Sequence, residues 1–349
     1  MSTTHLVEEA QNLPWWRRLG QGATRVRFVE RARWFWLASG LVILLGAVAL
    51  GIRGLNFGID FRGGLAWQVP TANLSVPQAR RSLAGLPLQG TTVVSLGAGS
   101  HRTIEVEADL PAHGAEARAL EGEVAARLAH AAGVEPSVVA IDYVGPSWGS
   151  QITDAALKAL VAFFVGITLY ISVRFEWKMA LAALVAVVHD LAVTVGIYAL
   201  SGFQVTPATV IAVLTVLGYS LYDTIVIFDR IKENVDRHVR AGEWTYTQAV
   251  DRSVNQMLAR SINTSVVAVI PILSVLVVGA YVLGATTLKN FGLALVVGLT
   301  SGAYSSVAIA APLLARFKER ESGYRHLRQR LEVRQRGGTA TAGASSLET

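Results

Sequence analysis

Hydrophobic residues along this chain run together in six nearly continuous apolar stretches, about 34–52, 155–173, 179–200, 207–228, 264–284 and 290–313. At about 1.5 Å per residue, a run of roughly 20 residues crosses the roughly 30 Å hydrocarbon core of a bilayer, so each stretch predicts a transmembrane helix. The first run begins too deep in the chain, and lacks the small-residue pattern, for a removable signal; it is expected to stay as an anchor. The stretch between the first and second runs is patterned differently. Leu65–Val69 reads as a strand, Val76–Leu86 as a helix, Thr91–Leu96 and Thr103–Glu107 as strands with period-two alternation, Ala115–Ala132 as a helix and Val138–Val144 as a strand. The order βαββαβ predicts a ferredoxin-like α+β domain, and roughly 100 residues suffice for a core of its own. It carries no metal-ligand cluster and no nucleophile turn, so it reads as a contact or lever module.

Composition agrees with a polytopic membrane protein: of 349 residues 52% are hydrophobic and 16% charged, against about 25% charged in soluble domains. The absence of cysteine excludes disulfides, thiolate metal sites and cysteine catalysis. The net charge of +6 is concentrated beside the apolar runs, where it sets orientation and gives no reason to expect a nucleic-acid partner. Arg17, Arg18, Arg25, Arg27, Arg31 and Arg33 precede the first run, Arg174 and Lys178 separate the second from the third, and Arg230, Lys232, Arg237, Arg240, Arg252 and Arg260 lie between the fourth and fifth. The opposite short loops, 201–206 and 284–290, contain only Lys289. Both termini are therefore expected in the cytoplasm. The division is 1–33 as a cytoplasmic segment, 34–52 as helix 1, 53–153 as the extracytoplasmic domain, 154–313 as helices 2–6, and 314–349 as a basic, disordered cytoplasmic tail. Trp15, Trp16, Trp34 and Trp36 suit a membrane interface.

Ionisable groups within the apolar runs cost about 2.5–3.5 kcal/mol each on the translocon scale, so each needs a reason. His189 and Asp190 fall near the middle of the third run and read either as a buried polar pair holding helices together or as a proton relay. Asp223 lies deep in the fourth run, with Tyr219 and Ser220 one turn earlier to hydrogen-bond around it; it reads as a protonatable or paired site. Arg260 fits a snorkelling flank arginine as well as a partner that changes the proton affinity of Asp223 by approaching or withdrawing; Thr264 shares its face. Pro271 permits a bend in the fifth helix, and Gly298 and Gly302 form a small-residue stripe, followed by Ser305 and Ser306, suited to close helix packing. No metal site or organic cofactor is predicted. An ion gradient would serve, carried by protons or by sodium ions. An intramembrane aspartyl protease is disfavoured because its second Gly-x-Gly-Asp element is missing.

Several pieces, in order, resemble the SecF branch of the SecD/SecF protein-export family, part of the resistance-nodulation-division (RND) superfamily. They are Phe57-Gly-Ile-Asp-Phe-Arg-Gly-Gly64, Val144-Gly-Pro146, His189-Asp190, the stretch from Gly218 to Ile231 containing Tyr222-Asp223-Thr224, and Arg260-Ser-Ile-Asn-Thr-Ser265. The resemblance implies a non-enzymatic subunit of a SecDF complex in a bacterial or archaeal cytoplasmic membrane. Its implied partners are SecD, the SecYEG translocon and YajC, its substrate is unfolded preprotein, and its energy source is the proton-motive force. It also implies a proton path through Asp223, Arg260 and Thr264, with SecD supplying a further aspartate, and a signature of Asp60, Arg62, Gly63 and Gly64 fixing the junction between helix 1 and the domain. The loop between Asp223 and Arg260 is a few residues longer than the family pattern suggests. Half of a proton-coupled RND exporter, and a passive translocon scaffold, are the competing functions.

Overall fold

The computed structural model describes residues 24–97, 102–109, 115–282 and 286–345, with Pro14 and Leu19; the side chains of residues 146–147, 280–287 and 335–345 are outside the description. The expectations for Trp15, Trp16, Arg17 and Arg18 fall outside these residues. In chain order the elements are α1 (Phe28–Arg53), β1 (Asn56–Phe57), α2 (Ile59–Arg62), β2 (Gly64–Pro70), α3 (Val76–Ser82), β3 (Gln89–Leu96), β4 (Thr103–Asp109), α4 (Ala115–Ala132) and β5 (Ala140–Val144). There follow α5 (Pro146–Arg174), α6 (Trp177–Ser201), β6 (Gln204–Val205), α7 (Pro207–Asn234), α8 (Tyr246–Val275), α9 (Thr286–Ser305), α10 (Ala311–Glu319) and α11 (Ser322–Ser345). Single π-helical segments prolong α7 (Val235–Val239), α8 (Leu276–Val282) and α9 (Ser306–Ala310).

Among the described residues six helices are long and apolar enough to cross a membrane: Phe28–Arg53, Trp148–Arg174, Trp177–Ser201, Pro207–Val239, Tyr246–Gly279 and Leu288–Glu319. Each predicted apolar run lies within one of them or overlaps it, but all except Trp177–Ser201 continue six or more residues past the apolar stretch. The longest extensions are those of α7 and α8, which run on as a polar hairpin. Asn234 Nδ2 donates to Ser253 Oγ (2.7 Å) and Arg230 Nε to Gln256 Oε1 (2.7 Å) across it. The extra length between Asp223 and Arg260 is thus helix, with only residues 240–245 connecting. The hairpin also caps α1: Asp251 Oδ1 accepts from Val29 N and Asn255 Oδ1 from Val26 N, both at 2.9 Å. These carboxylate and amide groups satisfy N–H groups that a helix start leaves without partners.

The domain between α1 and α5 has the predicted order. Its sheet runs β3-β4-β2-β5 with antiparallel neighbours throughout, the ferredoxin-like arrangement. Alternation on β4 turns Ile104, Val106 and Ala108 toward the helices, where they pack with Trp67, Val69, Val124 and Leu128. Trp67 is fully buried and its Nε1 donates to Glu121 O at 3.2 Å, so its polar atom is satisfied. Glu105, Glu107 and Asp109 take the opposite face, yet Glu105 and Glu107 are buried, because this face meets the helical bundle.

In the bundle α6, α7 and α9 pack centrally around Ala182, Ala186, Leu217, Leu221 and Ala310, while α5 stays peripheral, with Leu157, Val161, Val165 and Leu169 exposed. Helices α1 and α6 touch backbone to backbone at Gly46 and Gly196: a Cβ on Gly46 would overlap Gly196 Cα. Gly46→Leu should therefore push the helices apart and cost about 1–3 kcal/mol, read as a lower melting temperature of the purified protein in detergent. Where the basic tail is predicted to be disordered, the chain is helical over α10 and α11. Lys318 pairs with Glu176, Arg328 Nη1 with Glu319 (2.8 Å), and Tyr324 stacks edge-on against Tyr246. Ion pairs and ring contacts satisfy polar residues whose composition alone suggests no packed partner.

Candidate functional site

The ionisable residues of the membrane helices fall into two clusters with different surroundings. Asp190 is fully buried where α6, α7 and α9 meet. Its Oδ2 accepts from Ser220 Oγ (2.5 Å) and Ser305 Oγ (2.7 Å), and its Oδ1 from Ser301 Oγ (2.8 Å), while His189 Nδ1 lies 3.1 Å from Oδ1. Four partners from three helices satisfy a carboxylate that burial would otherwise make costly. The His189 Nε2 atom, buried beside Tyr304, has no hydrogen-bond partner among the described residues. Adjacent positions on a helix point about 100° apart, so both residues reach the interior because α6 is central.

Close approach of α9 to α7 makes this cluster possible. A Cβ on Gly298 would lie 2.5 Å from Val216 Cγ1, and one on Gly302 would lie 2.6 Å from Ser220 Cβ. The small-residue stripe therefore serves packing within this chain. One turn further, Thr224 Oγ1 and Ser306 Oγ are 3.0 Å apart, and Ser306 opens the π segment of α9. A π turn shifts hydrogen-bond partners; Trp36 Nε1 donates to Ala308 O within it at 3.2 Å.

Asp223 occupies a more open place. It is half-buried on α7, about 24 Å along the helix from Pro207, and accepts from Ser261 Oγ of α8 at 2.7 Å. Arg260 makes no ion pair among the described residues; its Nη2 reaches the hydroxyl of Tyr222 at 3.5 Å, on the exposed side of the α7–α8 pair.

Two placements differ from expectation here. Ser220, expected beside Asp223, binds Asp190, because position 220 faces α6 and α9 rather than α8. Thr264 donates to the carbonyls of Arg260 (2.9 Å) and Ser261 (3.1 Å) on its own helix, the ordinary recourse of a mid-helix hydroxyl, and does not touch Asp223. Asp223 and Arg260 stand near each other without pairing. Ser261 carries no individual signal in the sequence; that for Ser301 is its four-residue spacing from Ser305, which sets two hydroxyls on one helix face.

The Asp60–Gly64 stretch forms the root of the domain. Gly63 and Gly64 have φ of +80° and +129°, and a Cβ on Gly64 would lie 2.8 Å from Asp109 Oδ1, so both conformation and space demand glycine. Beneath α2, a Cβ on Gly149 of α5 would overlap the Phe61 carbonyl. Burial pushes the Asp60 carboxyl up from its ordinary value. Glu105 is pushed up to about 7, first by burial and then by Glu107, with Gln68 and Lys289 opposing.

A carboxyl group with a folded pKa above its unfolded value of 4.5 holds extra protons in the native state. Its contribution is full below pH 4.5 and is lost as pH rises through about 7. The shift is worth about 3 kcal/mol. Protection of β4 amides in the full-length protein, corrected for intrinsic exchange rates, should fall between pH 5 and 8, and Glu105→Gln should flatten that dependence.

Comparison with known proteins agrees with this architecture. The family model described as protein export membrane protein SecD/SecF, C-terminal, matches residues 123–320, and that of the SecD/SecF GG motif matches residues 48–65. The chain is 41% identical over 325 residues to the protein translocase subunit SecF of Streptomyces coelicolor, covering 93% of this chain and 85% of that protein. It is 35% identical over 301 residues to the protein translocase subunit SecDF of Thermus thermophilus, covering 85% of this chain and 39% of the relative. The crystal structure of SecDF, a translocon-associated membrane protein, from Thermus thermophilus superposes with a TM-score of 0.72 at 31% identity, over 90% of this chain and 41% of that one. The chain thus spans about two fifths of the SecDF polypeptides it matches.

Proposed function

The chain belongs to the SecD/SecF family of protein-export membrane proteins, and from that premise we propose that it is a SecF-type subunit that joins a SecD-like partner and turns the proton-motive force into movement of its ferredoxin-like domain on an emerging preprotein. In this reading both termini are cytoplasmic, residues 53–153 face outward, and the SecYEG translocon and YajC are neighbours.

The observation that carries the coupling is the contrast between the two membrane aspartates. Asp190 is locked by donors from three helices, whereas Asp223 is half-open, held by Ser261, with Arg260 nearby and paired with no carboxylate among the described residues. A carboxyl group in such a place can gain a proton without breaking the bundle, and Arg260 can swing toward it when it is charged. One elementary charge moved through 100 mV supplies about 2.3 kcal/mol, enough to bias a hinge between two packings. Fusion of related sequences into one SecDF polypeptide supports a SecD-like partner.

Export of a secreted reporter, in cells depleted of their own homologue, tests the proposal. Wild type restores export; Asp223→Asn and Arg260→Met, present at matched membrane levels, leave it impaired. Full rescue by both variants would leave a passive scaffold.

A further inference from the structure

One side chain bonds both the domain sheet and the bundle. Gln204, in the short connection between α6 and α7, belongs to β6, which pairs in parallel with β1 at the root of the domain, Asn56 opposite Gln204 and Phe57 opposite Val205. Its side-chain Nε2 donates to Glu107 Oε2 on β4 at 2.5 Å, and its Oε1 accepts from Asn290 Nδ2 at the start of α9 at 3.3 Å. The Asn290 carbonyl in turn accepts from the Tyr198 hydroxyl of α6 at 3.2 Å. One amide therefore holds the domain sheet with its donor end and the bundle with its acceptor end.

The helices gathered here, α6, α7 and α9, are those tied together by Asp190 deeper in the membrane. Glu107 is 7% exposed, so losing its donor would leave a buried carboxylate poorly compensated. Arg62 and Asp60 from α2 and Asp109 and Glu105 on its own strand act on it, while Lys289 beside Asn290 and Asp142 on β5 act on the neighbouring Glu105.

We propose that Gln204 is the positioning residue through which displacement of α6, α7 and α9 sets the tilt of the extracytoplasmic domain, with Glu107 as its seat on the domain and Asn290 as its seat on the bundle. This rests on the proposed coupling function and adds the route by which motion leaves the membrane. The neutral amide suits the task, because each of its ends can release and re-form a hydrogen bond without moving a charge out of water.

A role exchange tests the route in the full chain assembled with its partner. Gln204→Glu sets a carboxylate against Glu107, whereas Glu107→Gln keeps a carbonyl oxygen that still accepts from Gln204; combined, the two substitutions restore a donor–acceptor pair with the roles reversed. Export should fall at least fivefold in Gln204→Glu, stay within twofold of wild type in Glu107→Gln, and return to within twofold of wild type in the pair, at equal membrane levels. Gln204→Leu, which cannot bond at either end, should fall as far as Gln204→Glu.

The chain has no cysteine, so spin labels on Glu116→Cys and Leu200→Cys report the separation of domain and bundle without background. Asp223→Asn should shift their distance distribution when Gln204 is present and leave it unmoved in Gln204→Leu. Wild-type export by Gln204→Leu, or a double variant as impaired as Gln204→Glu despite normal assembly, overturns the proposal. If Asp223→Asn changes neither export nor the label distance in an otherwise wild-type chain, the coupling reading itself fails, an outcome separate from failure of the Gln204 route.

Discussion

Asp223→Asn is expected to leave a folded, inserted protein whose support of export no longer responds to the proton-motive force. Asparagine matches aspartate in size and still accepts from Ser261, so the α7–α8 contact survives. What it cannot do is alternate between charged and neutral. At about 150 mV one proton delivers about 3.5 kcal/mol, or several hundredfold in an equilibrium constant. Export with Asp223→Asn should accordingly drop at least tenfold, to the rate that wild type shows once the gradient is collapsed. An uncoupler that slows wild type should have no further effect on the variant. Ser261→Ala removes one donor from a half-open carboxylate and should slow export only a few-fold. An Asp223→Asn protein that still responds to the uncoupler would place the coupling carboxylate elsewhere.

Asp190→Ala should fail in a different way, through stability. It strands the hydroxyls of Ser220, Ser301 and Ser305 and the imidazole of His189 around a cavity at the convergence of three helices. Each stranded buried group costs about 1–3 kcal/mol, less where a serine turns back to a carbonyl of its own helix. A net loss of about 3–5 kcal/mol follows, a large part of a typical folding margin of about 5–15 kcal/mol. The purified variant should melt well below wild type in detergent and accumulate poorly in membranes. Asp190→Asn keeps one acceptor oxygen and should fall between. Low export by these variants must then be read against their amount, whereas Asp223→Asn should show normal amounts with low export.

The sequence made the six spans and the βαββαβ order readable because both rest on short-range pattern. Continuous apolar runs mark helices in lipid, and alternation such as Ile104-Glu105-Val106-Glu107 marks a strand. It could not place partners, which depend on which way a helix is rotated. Ser220 and Asp223 are three residues apart, yet one reaches Asp190 on α6 and the other Ser261 on α8. Helix extents were also hidden, since the continuations of α7 and α8 are polar and are held by cross-hairpin amides rather than by apolar burial. Gln204 left no signal at all: a glutamine in a six-residue loop between two apolar runs looks like surface until the sheet that meets it is in place.

The parallel pairing of β1 with β6 also bears on how the protein is made. Phe57 and Val205 are register partners separated by about 150 positions of chain, so the ribosome makes one of them on the order of ten seconds before the other, at about 5–20 residues per second. The ferredoxin-like sheet, whose strands all lie between residues 64 and 144, has everything it needs to form during that wait, while the strand at its root has no mate. The two-residue clasp therefore closes only after the sheet has had time to fold, and it fastens an already folded domain to the membrane bundle.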